Sequence, residues 1–220
     1  MNTKSIEALV HIPVDSTRLE GMLEIPTGAK GMILFSHGSG SSRLSPRNNF
    51  VARLLRDHGF GTLLIDLLTR EEDADQANRF NIGLLTDRLG FVMGWLKDEI
   101  VTKHLPLGLF GASTGAASAL NLAARSRKEV FAVVSRGGRP DMADESLPEV
   151  HAPTLLIVGG EDDVVIELNQ KAYKKLKCKK NLVIIPGASH LFEEPGTLES
   201  VAQLAAEWFI SHLPKRHPVI

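Results

Sequence analysis

Six short, uninterrupted apolar runs alternate with segments of helical periodicity along most of this chain. The apolar runs cover 31–36, 61–66, 105–110, 130–135, 154–158 and 182–185. The helix-period segments cover 48–58, 82–101, 114–125, 166–176 and 196–213. An apolar run without polar alternation is typical of a strand buried on both faces, and strands that alternate with helices form parallel sheets. The sequence therefore predicts an α/β fold with a doubly wound, mostly parallel sheet.

The beginning of the chain has a different period. Segments 7–14 and 19–25 alternate in polarity on either side of 15–17, which predicts an antiparallel hairpin at a sheet edge, within residues 1–26. No repeat, low-complexity tract or linker interrupts the 220 residues, so a single domain over 1–220 is expected. The Pro- and Lys-containing end, 214–220, is predicted to be a mobile tail.

Charge and cysteine content exclude several classes of protein. The 25 Lys and Arg residues nearly balance 26 Asp and Glu residues, unlike the basic surface of a nucleic-acid binder, and nucleic acid or an anionic membrane is a poor partner. The chain has no apolar signal core and no apolar run long enough to span a bilayer, which predicts a cytoplasmic protein. One cysteine, Cys178, excludes an internal disulfide and a Cys-rich zinc site; we expect it to have no catalytic role.

The pentapeptide Gly111-Ala112-Ser113-Thr114-Gly115 lies between a predicted strand and a predicted Ala-rich helix. In that setting it predicts a nucleophile elbow, a strained turn that exposes the serine hydroxyl beside the N-terminus of the next helix. The alternative is an ordinary strand-to-helix turn that matches the motif by chance.

Two later strand ends supply partners for Ser113. A serine needs a base to remove its proton, and His190 follows the last apolar run in a Gly- and Ser-containing loop. The base needs an acid to orient it, and Glu161, Asp162 and Asp163 follow the run at 154–158 and compete for that role. The alternatives are a surface-loop histidine and solvated or helix-capping acids.

A Gly-rich loop after the run at 31–36 predicts an oxyanion hole. The backbone N–H groups of Ser39 and Thr114 are the expected donors, because the residue after the nucleophile and an early loop usually supply them. His37 lies in the same loop. We expect it to brace the loop, since His190 already has the position of the base in the chain.

Together, the elbow, the acidic loop, the late histidine and the His-Gly loop resemble the α/β-hydrolase superfamily and, within it, the dienelactone hydrolase family, over nearly the whole chain. The resemblance implies a three-layer fold, an eight-stranded, mostly parallel sheet, an acyl-enzyme, and no metal or organic cofactor. It also favours Asp162 as the acid, with Asp163 as the alternative. Dienelactone hydrolases proper use cysteine where this chain has Ser113, so their lactone substrate does not follow. Little sequence separates strands from helices, so no sizeable cap domain is expected.

Arginines near two other strand ends are candidate substrate-binding residues. Arg136 and Arg139 follow the run at 130–135 and could hold an anionic group of the substrate. The alternative is a turn in which these arginines pair with nearby aspartates. Arg70 invites the same hypothesis with less support. The acidic run at 71–75 is predicted to be a solvated loop and not a metal site.

The sequence therefore predicts a serine hydrolase of carboxylic esters, lactones or thioesters, with a small-molecule substrate. Ser113 attacks, His190 transfers the proton and Asp162 orients His190. A small serine peptidase is an alternative within the enzymes, and a non-catalytic ligand- or partner-binding protein with the same fold is an alternative outside them. The simultaneous presence of all the expected residue types favours the enzyme.

Overall fold

A computed structural model of the chain describes residues 4–15 and 17–215. Eight strands lie within these residues: β1 (Ile6–Val14), β2 (Thr17–Ile25), β3 (Gly31–Ser36), β4 (Phe60–Ile65), β5 (Leu107–Ala112), β6 (Val130–Arg136), β7 (Thr154–Gly159) and β8 (Lys180–Ile185). They form one sheet in the order β1-β2-β4-β3-β5-β6-β7-β8.

The sheet has the predicted mixture of directions. β1 and β2 form an antiparallel hairpin at one edge, and β2 also pairs antiparallel with β4. The remaining strands, from β4 through β3 to β8, are parallel to one another. Every residue of β3, β4, β5 and β7 is buried, as their uninterrupted apolar sequences predict. The prediction of an eight-stranded, mostly parallel sheet is confirmed.

Helices cover both faces of the sheet. They are α1 (Pro46–Asp57), α2 (Arg70–Asp73), α3 (Gln76–Phe80), α4 (Ile82–Asp98), α5 (Thr114–Ser126), α6 (Asp163–Lys175) and α7 (Thr197–His212), with two short 3₁₀ turns at Pro140–Ala143 and Leu147–Glu149. One buried apolar cluster joins α4, α5 and α6 to the sheet, and a second joins α1 and α7 to its other face. These three layers place the carboxyl ends of the parallel strands, and the residues that follow them, along one edge.

The acidic run at 71–75 is helical in part, which corrects the prediction of a solvated loop. Thr69 and Glu72 form a reciprocal capping box at the start of α2, with N-to-O distances of 3.2 and 2.9 Å. At the start of α3, the Asp75 side chain accepts the N–H of Ala77 at 2.9 Å. Capping satisfies backbone donors that a short helix cannot satisfy internally, and composition alone did not reveal it. Within the described ranges, no three His, Cys, Asp or Glu residues are placed to hold a metal ion.

The described part of the chain forms no sizeable cap over the carboxyl edge of the sheet. The short helices α2 and α3 occupy the connection between β4 and α4. Among the helices of residues 4–15 and 17–215, none combines the length and apolar character that crossing a bilayer requires. The tail predicted at 214–220 lies, from residue 216 onward, outside the described residues.

Candidate active site

Ser113 occupies a strained turn between β5 and α5. Its backbone has φ 51° and ψ −123°, a region that few residues other than glycine adopt. Its N–H donates to the carbonyl oxygen of Arg136 at 3.2 Å, and its own carbonyl accepts from the N–H of Arg139 at 3.0 Å. A Cβ on Gly115 would lie 2.2 Å from the carbonyl oxygen of Ser36, so only glycine fits there. The loop after β6 and the close approach of α5 to β3 therefore hold the serine in this conformation.

His190 and Asp162 lie together at the same edge of the sheet. His190 Nδ1 is 2.6 Å from Asp162 Oδ2, and the Asp162 side chain is only 16% exposed. Glu161 and Asp163 are exposed. Because Nδ1 faces the carboxylate, Nε2 is the nitrogen available to a hydroxyl. Ser113 and His190 line the same cavity without a direct hydrogen bond between their side chains, a spacing that is common before substrate binds.

The loop that presents His190 has its own supports. The N–H of Ser189 donates to Glu194 Oε2 at 3.0 Å, and this bond lowers the pKa of Glu194. Gly137, with φ 51°, packs against the histidine: a Cβ there would lie 3.2 Å from the His190 carbonyl oxygen and 3.5 Å from ring atom Cε1. Asn169, fully buried on α6, donates to the carbonyl oxygen of Gly138 at 3.0 Å. The loop after β6 thus contacts the serine, the histidine and the helix that begins beside Asp162.

Ser39 and Thr114, the two residues predicted to form an oxyanion hole, are in contact, and the backbone N–H of Ser39 already has a hydrogen-bond partner. The N–H of Ser39 donates to Thr114 Oγ1 at 2.9 Å. Thr114 is the first residue of α5, where backbone N–H groups have no partner within the helix. The Ser39 N–H is therefore held by a hydroxyl, and any other acceptor that approached it would share or displace that bond.

His37 joins the Gly-rich loop to the end of β4. Its Nε2 accepts from the N–H of Leu67 at 3.1 Å, so Nδ1 bears the proton that it donates to the carbonyl oxygen of Gly38 at 2.9 Å. Burial lowers the pKa of this imidazole, because the charged form would lose its hydration. Both ring nitrogens are engaged with backbone, which agrees with the predicted bracing role.

We expect His37→Gln to change how stability depends on pH. Because the folded pKa lies below the ordinary value of 6.5, the unfolded chain binds the proton first as pH falls through that value. The stabilisation that neutral His37 provides is thus fully present above pH 6.5 and declines below it, by up to about 1.4 kcal/mol per pH unit. Urea unfolding at about pH 8 and about pH 5.5 should show a smaller stability difference between the parent and the variant at the lower pH. An equal difference at both values would contradict this prediction.

A cavity of about 230 Å³ opens beside Ser113 and His190. The loop after β3, the first turn of α1 and the end of β6 form its walls, contributing Ser41, Ser45, Arg47, Asn48 and Arg136. A larger groove of about 820 Å³ runs along α4, but none of the predicted catalytic residues lines it. The smaller, polar cavity is therefore the one next to the candidate nucleophile.

Of the three predicted substrate-binding arginines, only Arg136 lines this cavity. Arg139 instead forms a two-pronged pair with Asp141, with N-to-O distances of 2.9 and 2.8 Å, and this pair raises its pKa. Arg70 is exposed at the start of α2 and lines a separate depression. Arg139 thus pairs with a nearby aspartate, as the alternative for this turn has it, and Arg70 lies at a different depression of the surface.

Arg136 is unusual because it is buried with no acidic partner among residues 4–15 and 17–215. It is 7% exposed, one terminal nitrogen donates to Asn48 Oδ1 at a long 3.4 Å, and its Nε has no partner among the same residues. Its guanidinium lies 5.8 Å from the centre of the Phe192 ring. Burial, together with the nearby charge of Arg47, lowers its pKa to about 10, so it stays charged at neutral pH.

Sequence reasoning missed Arg47, Asn48 and Asn169. The first two belong to the opening turn of α1, which follows the Gly-rich loop. Extending the inspection of strand ends into the next helical turn would have found them. Asn169 lies in the middle of α6, where nothing in the sequence distinguishes it from a surface amide.

Cys178 lies apart from this cavity. Its Sγ is 3.7 Å from Thr154 Oγ1. Burial raises the pKa of its thiol, the opposite of what a nucleophilic cysteine needs.

Comparison with known proteins gives consistent results for the fold. The model of the dienelactone hydrolase family matches residues 19–211. A crystal structure of a dienelactone hydrolase from Anabaena variabilis is 54% identical, with a TM-score of 0.92, and the match covers 96% of this chain and 100% of that one. Est1E from Butyrivibrio proteoclasticus, solved with bound ferulic acid, is 17% identical with a TM-score of 0.81, over 94% of this chain and 100% of that one.

One curated relative is named as a transferase and not as a hydrolase. A putative phosphoribosyl transferase of Mycobacterium tuberculosis is 56% identical over 204 residues, which are 93% of this chain and 46% of that protein. The chain thus spans about half the length of this curated relative.

Proposed function

The chain belongs to the dienelactone hydrolase family, and we propose that it is a serine hydrolase of carboxylic esters, lactones or thioesters. The observation that supports this most strongly is the 2.6 Å contact between His190 Nδ1 and Asp162 Oδ2, in a cavity that also contains the strained Ser113. A nucleophile, a base and an acid that orients the base are the groups that acyl transfer requires.

In the proposed reaction, Ser113 Oγ attacks the carbonyl carbon while its proton passes to His190 Nε2. The imidazolium that forms is stabilised by the Asp162 carboxylate. As the tetrahedral intermediate collapses, the bond to the leaving oxygen or sulfur breaks and His190 returns the proton to it. A water molecule then attacks the acyl-enzyme, with His190 again as base, and releases the acid and free Ser113.

The carbonyl oxygen gains negative charge during both attacks. The N–H of Thr114, at the positive end of α5, is suited to receive it. The N–H of Ser39 is the second donor once the oxyanion competes with Thr114 Oγ1 for it. A charged acceptor is favoured over a neutral hydroxyl, since charge-assisted hydrogen bonds are about twice as strong.

The name of the mycobacterial relative does not transfer to this chain. More than half of that protein has no counterpart here, because the match covers 46% of it. The matched part includes the elbow, the acidic loop and the histidine loop described above. Acyl transfer therefore accounts for the chemistry of this cavity without phosphoribosyl transfer. A non-catalytic binding protein stays the main alternative, and the following experiment separates the two.

The test is covalent labelling with a fluorophosphonate, followed by intact-mass measurement and peptide mapping. An activated serine should give one adduct, on Ser113, and Ser113→Ala should give none. His190→Gln should slow labelling strongly while leaving the chain folded, because an unassisted serine is a poor nucleophile. Absence of an adduct on the folded parent chain would favour the non-catalytic alternative.

A further inference from the structure

The cavity beside Ser113 contains a cation without an anion. No carboxylate lies within 4.0 Å of the Arg136 guanidinium among the side chains of the described residues, although the residue is 93% buried. Its Nε has no hydrogen-bond partner. Burying an unpaired charge is costly, and in most proteins such a group has a counter-ion. An anionic group of a ligand would supply the counter-ion that Arg136 lacks among the described residues.

A second source of positive charge faces the same cavity. Arg47, in the first turn of α1, lines it, and its only acidic partner among the described residues is Glu193 at 2.9 Å. Glu193 is 63% exposed, and exposed ion pairs of this kind contribute little. The 12-residue helix α1 adds the positive end of its dipole, because Ser45, Arg47 and Asn48 at its start all line the cavity.

Hydroxyl donors complete the arrangement. Ser45 Oγ accepts the N–H of Asn48 as the helix cap, which leaves its own hydrogen free to donate. Ser41 lines the cavity from the Gly-rich loop. The donors thus come from three elements: β6, α1 and the loop after β3.

We infer that this cavity binds a phosphoryl group of the substrate, between Arg136 and Arg47 at the start of α1. A phosphate monoester has close to two negative charges at neutral pH and three terminal oxygens in a tetrahedral arrangement. One carboxylate is planar and is satisfied by one guanidinium, whereas here two guanidiniums and two hydroxyls surround the cavity. The charge surplus and the spread of donors match the phosphoryl group better.

This inference rests on the proposed function and narrows its substrate class. The phosphoryl group would be bound beside the nucleophile, in a cavity of about 230 Å³, so the substrate would be a small ester, lactone or thioester with a phosphate close to the reacting carbonyl. The phosphate is held for recognition and takes no part in bond making. Ser113 acts on the carbonyl carbon.

The test measures binding of inorganic phosphate to the full chain by isothermal titration calorimetry at about pH 7.5. We expect Arg136→Gln to weaken phosphate binding at least ~10-fold, because a charged hydrogen bond is lost. Arg139→Gln is the matched control: Arg139 lies three residues after Arg136 but is paired with Asp141, so this variant should keep the parent affinity within about twofold. Equal affinity in the Arg136 variant and the parent, or no binding to the parent, would overturn the inference.

Two further measurements cover other outcomes. If Arg136→Gln does not fold, Arg47→Gln should weaken phosphate binding in its place, and phosphate should slow fluorophosphonate labelling of the parent. Acetate and malonate should bind more weakly than phosphate. Tighter binding of malonate would contradict the phosphoryl assignment and show that the cavity prefers a carboxylate.

The same experiments separate this inference from the proposed function. Phosphate binding that depends on Arg136, without any Ser113 adduct, would support this site and contradict the hydrolase proposal. An adduct without phosphate binding would contradict this inference alone.

Discussion

Replacing Ser113 with alanine is expected to lower kcat/KM for an activated aryl ester by about 10⁴- to 10⁶-fold. The alanine has no oxygen that can form the acyl-enzyme, so any remaining rate comes from water attack beside the oxyanion donors. The measurement is the initial rate of p-nitrophenyl acetate hydrolysis, with circular dichroism to verify that the variant is folded.

Ser126→Ala is the matched control for this experiment. Ser126 is the last residue of α5, the helix that begins after Ser113, and lies outside the cavity. Its replacement should leave the rate within about twofold, as for a typical surface substitution. A Ser113→Ala variant that retains more than about a tenth of the parental rate would show that another group performs the reaction.

The second large effect is expected from Asp162→Asn, which should lower kcat by about 10³- to 10⁴-fold. An asparagine amide can donate a hydrogen bond to His190 Nδ1, which would stabilise the tautomer with its proton on Nε2. That tautomer cannot accept the proton of Ser113. The asparagine also cannot stabilise the imidazolium that forms during attack. The contact at 2.6 Å makes this residue the partner of the ring, so the change should act on kcat more than on KM.

Asp163→Asn is the matched test of whether Asp162 or Asp163 is the acid that orients His190. Asp163 is exposed in the first turn of α6 and should contribute only a favourable interaction with the helix dipole. We therefore expect activity within about threefold of the parent and a slightly lower melting temperature. Steady-state rates on the same ester decide between the two aspartates. A large loss in the Asp163 variant with little change in the Asp162 variant would move the acid by one residue.

Much of the fold could be predicted because a strand that is buried on both faces has mainly apolar residues at successive positions. Runs such as 31–36 and 61–66 consist mainly of apolar residues without polar alternation, and in the structure every residue of β3 and β4 is buried. The short helices α2 and α3 were missed because charge dominated the interpretation of 71–75, whereas the capping pair Thr69 and Glu72 determines the backbone there. Such reciprocal caps depend on a few specific contacts and not on average polarity.

The candidate site could be predicted to the level of strand ends. Ser113, His190 and the acidic loop follow strands whose carboxyl ends meet at one edge, so their proximity follows from the topology. The direction in which each long side chain points does not follow from the topology. Arg139 turns toward Asp141, whereas Arg136, three residues earlier at the end of β6, lines the cavity that Arg47 reaches from α1.

The sequence by itself determined the strand and helix order, the parallel sheet, the serine turn and the family, because hydrophobic period and glycine placement act over a few neighbouring residues. Only the tertiary structure decided that Asp162 and not Asp163 contacts His190, that the Ser39 N–H is engaged by Thr114, and that Arg136 is buried without an acid. Each of these depends on how elements far apart in the chain pack at one edge. A single chain segment contains no information about the partner that its side chain will meet there.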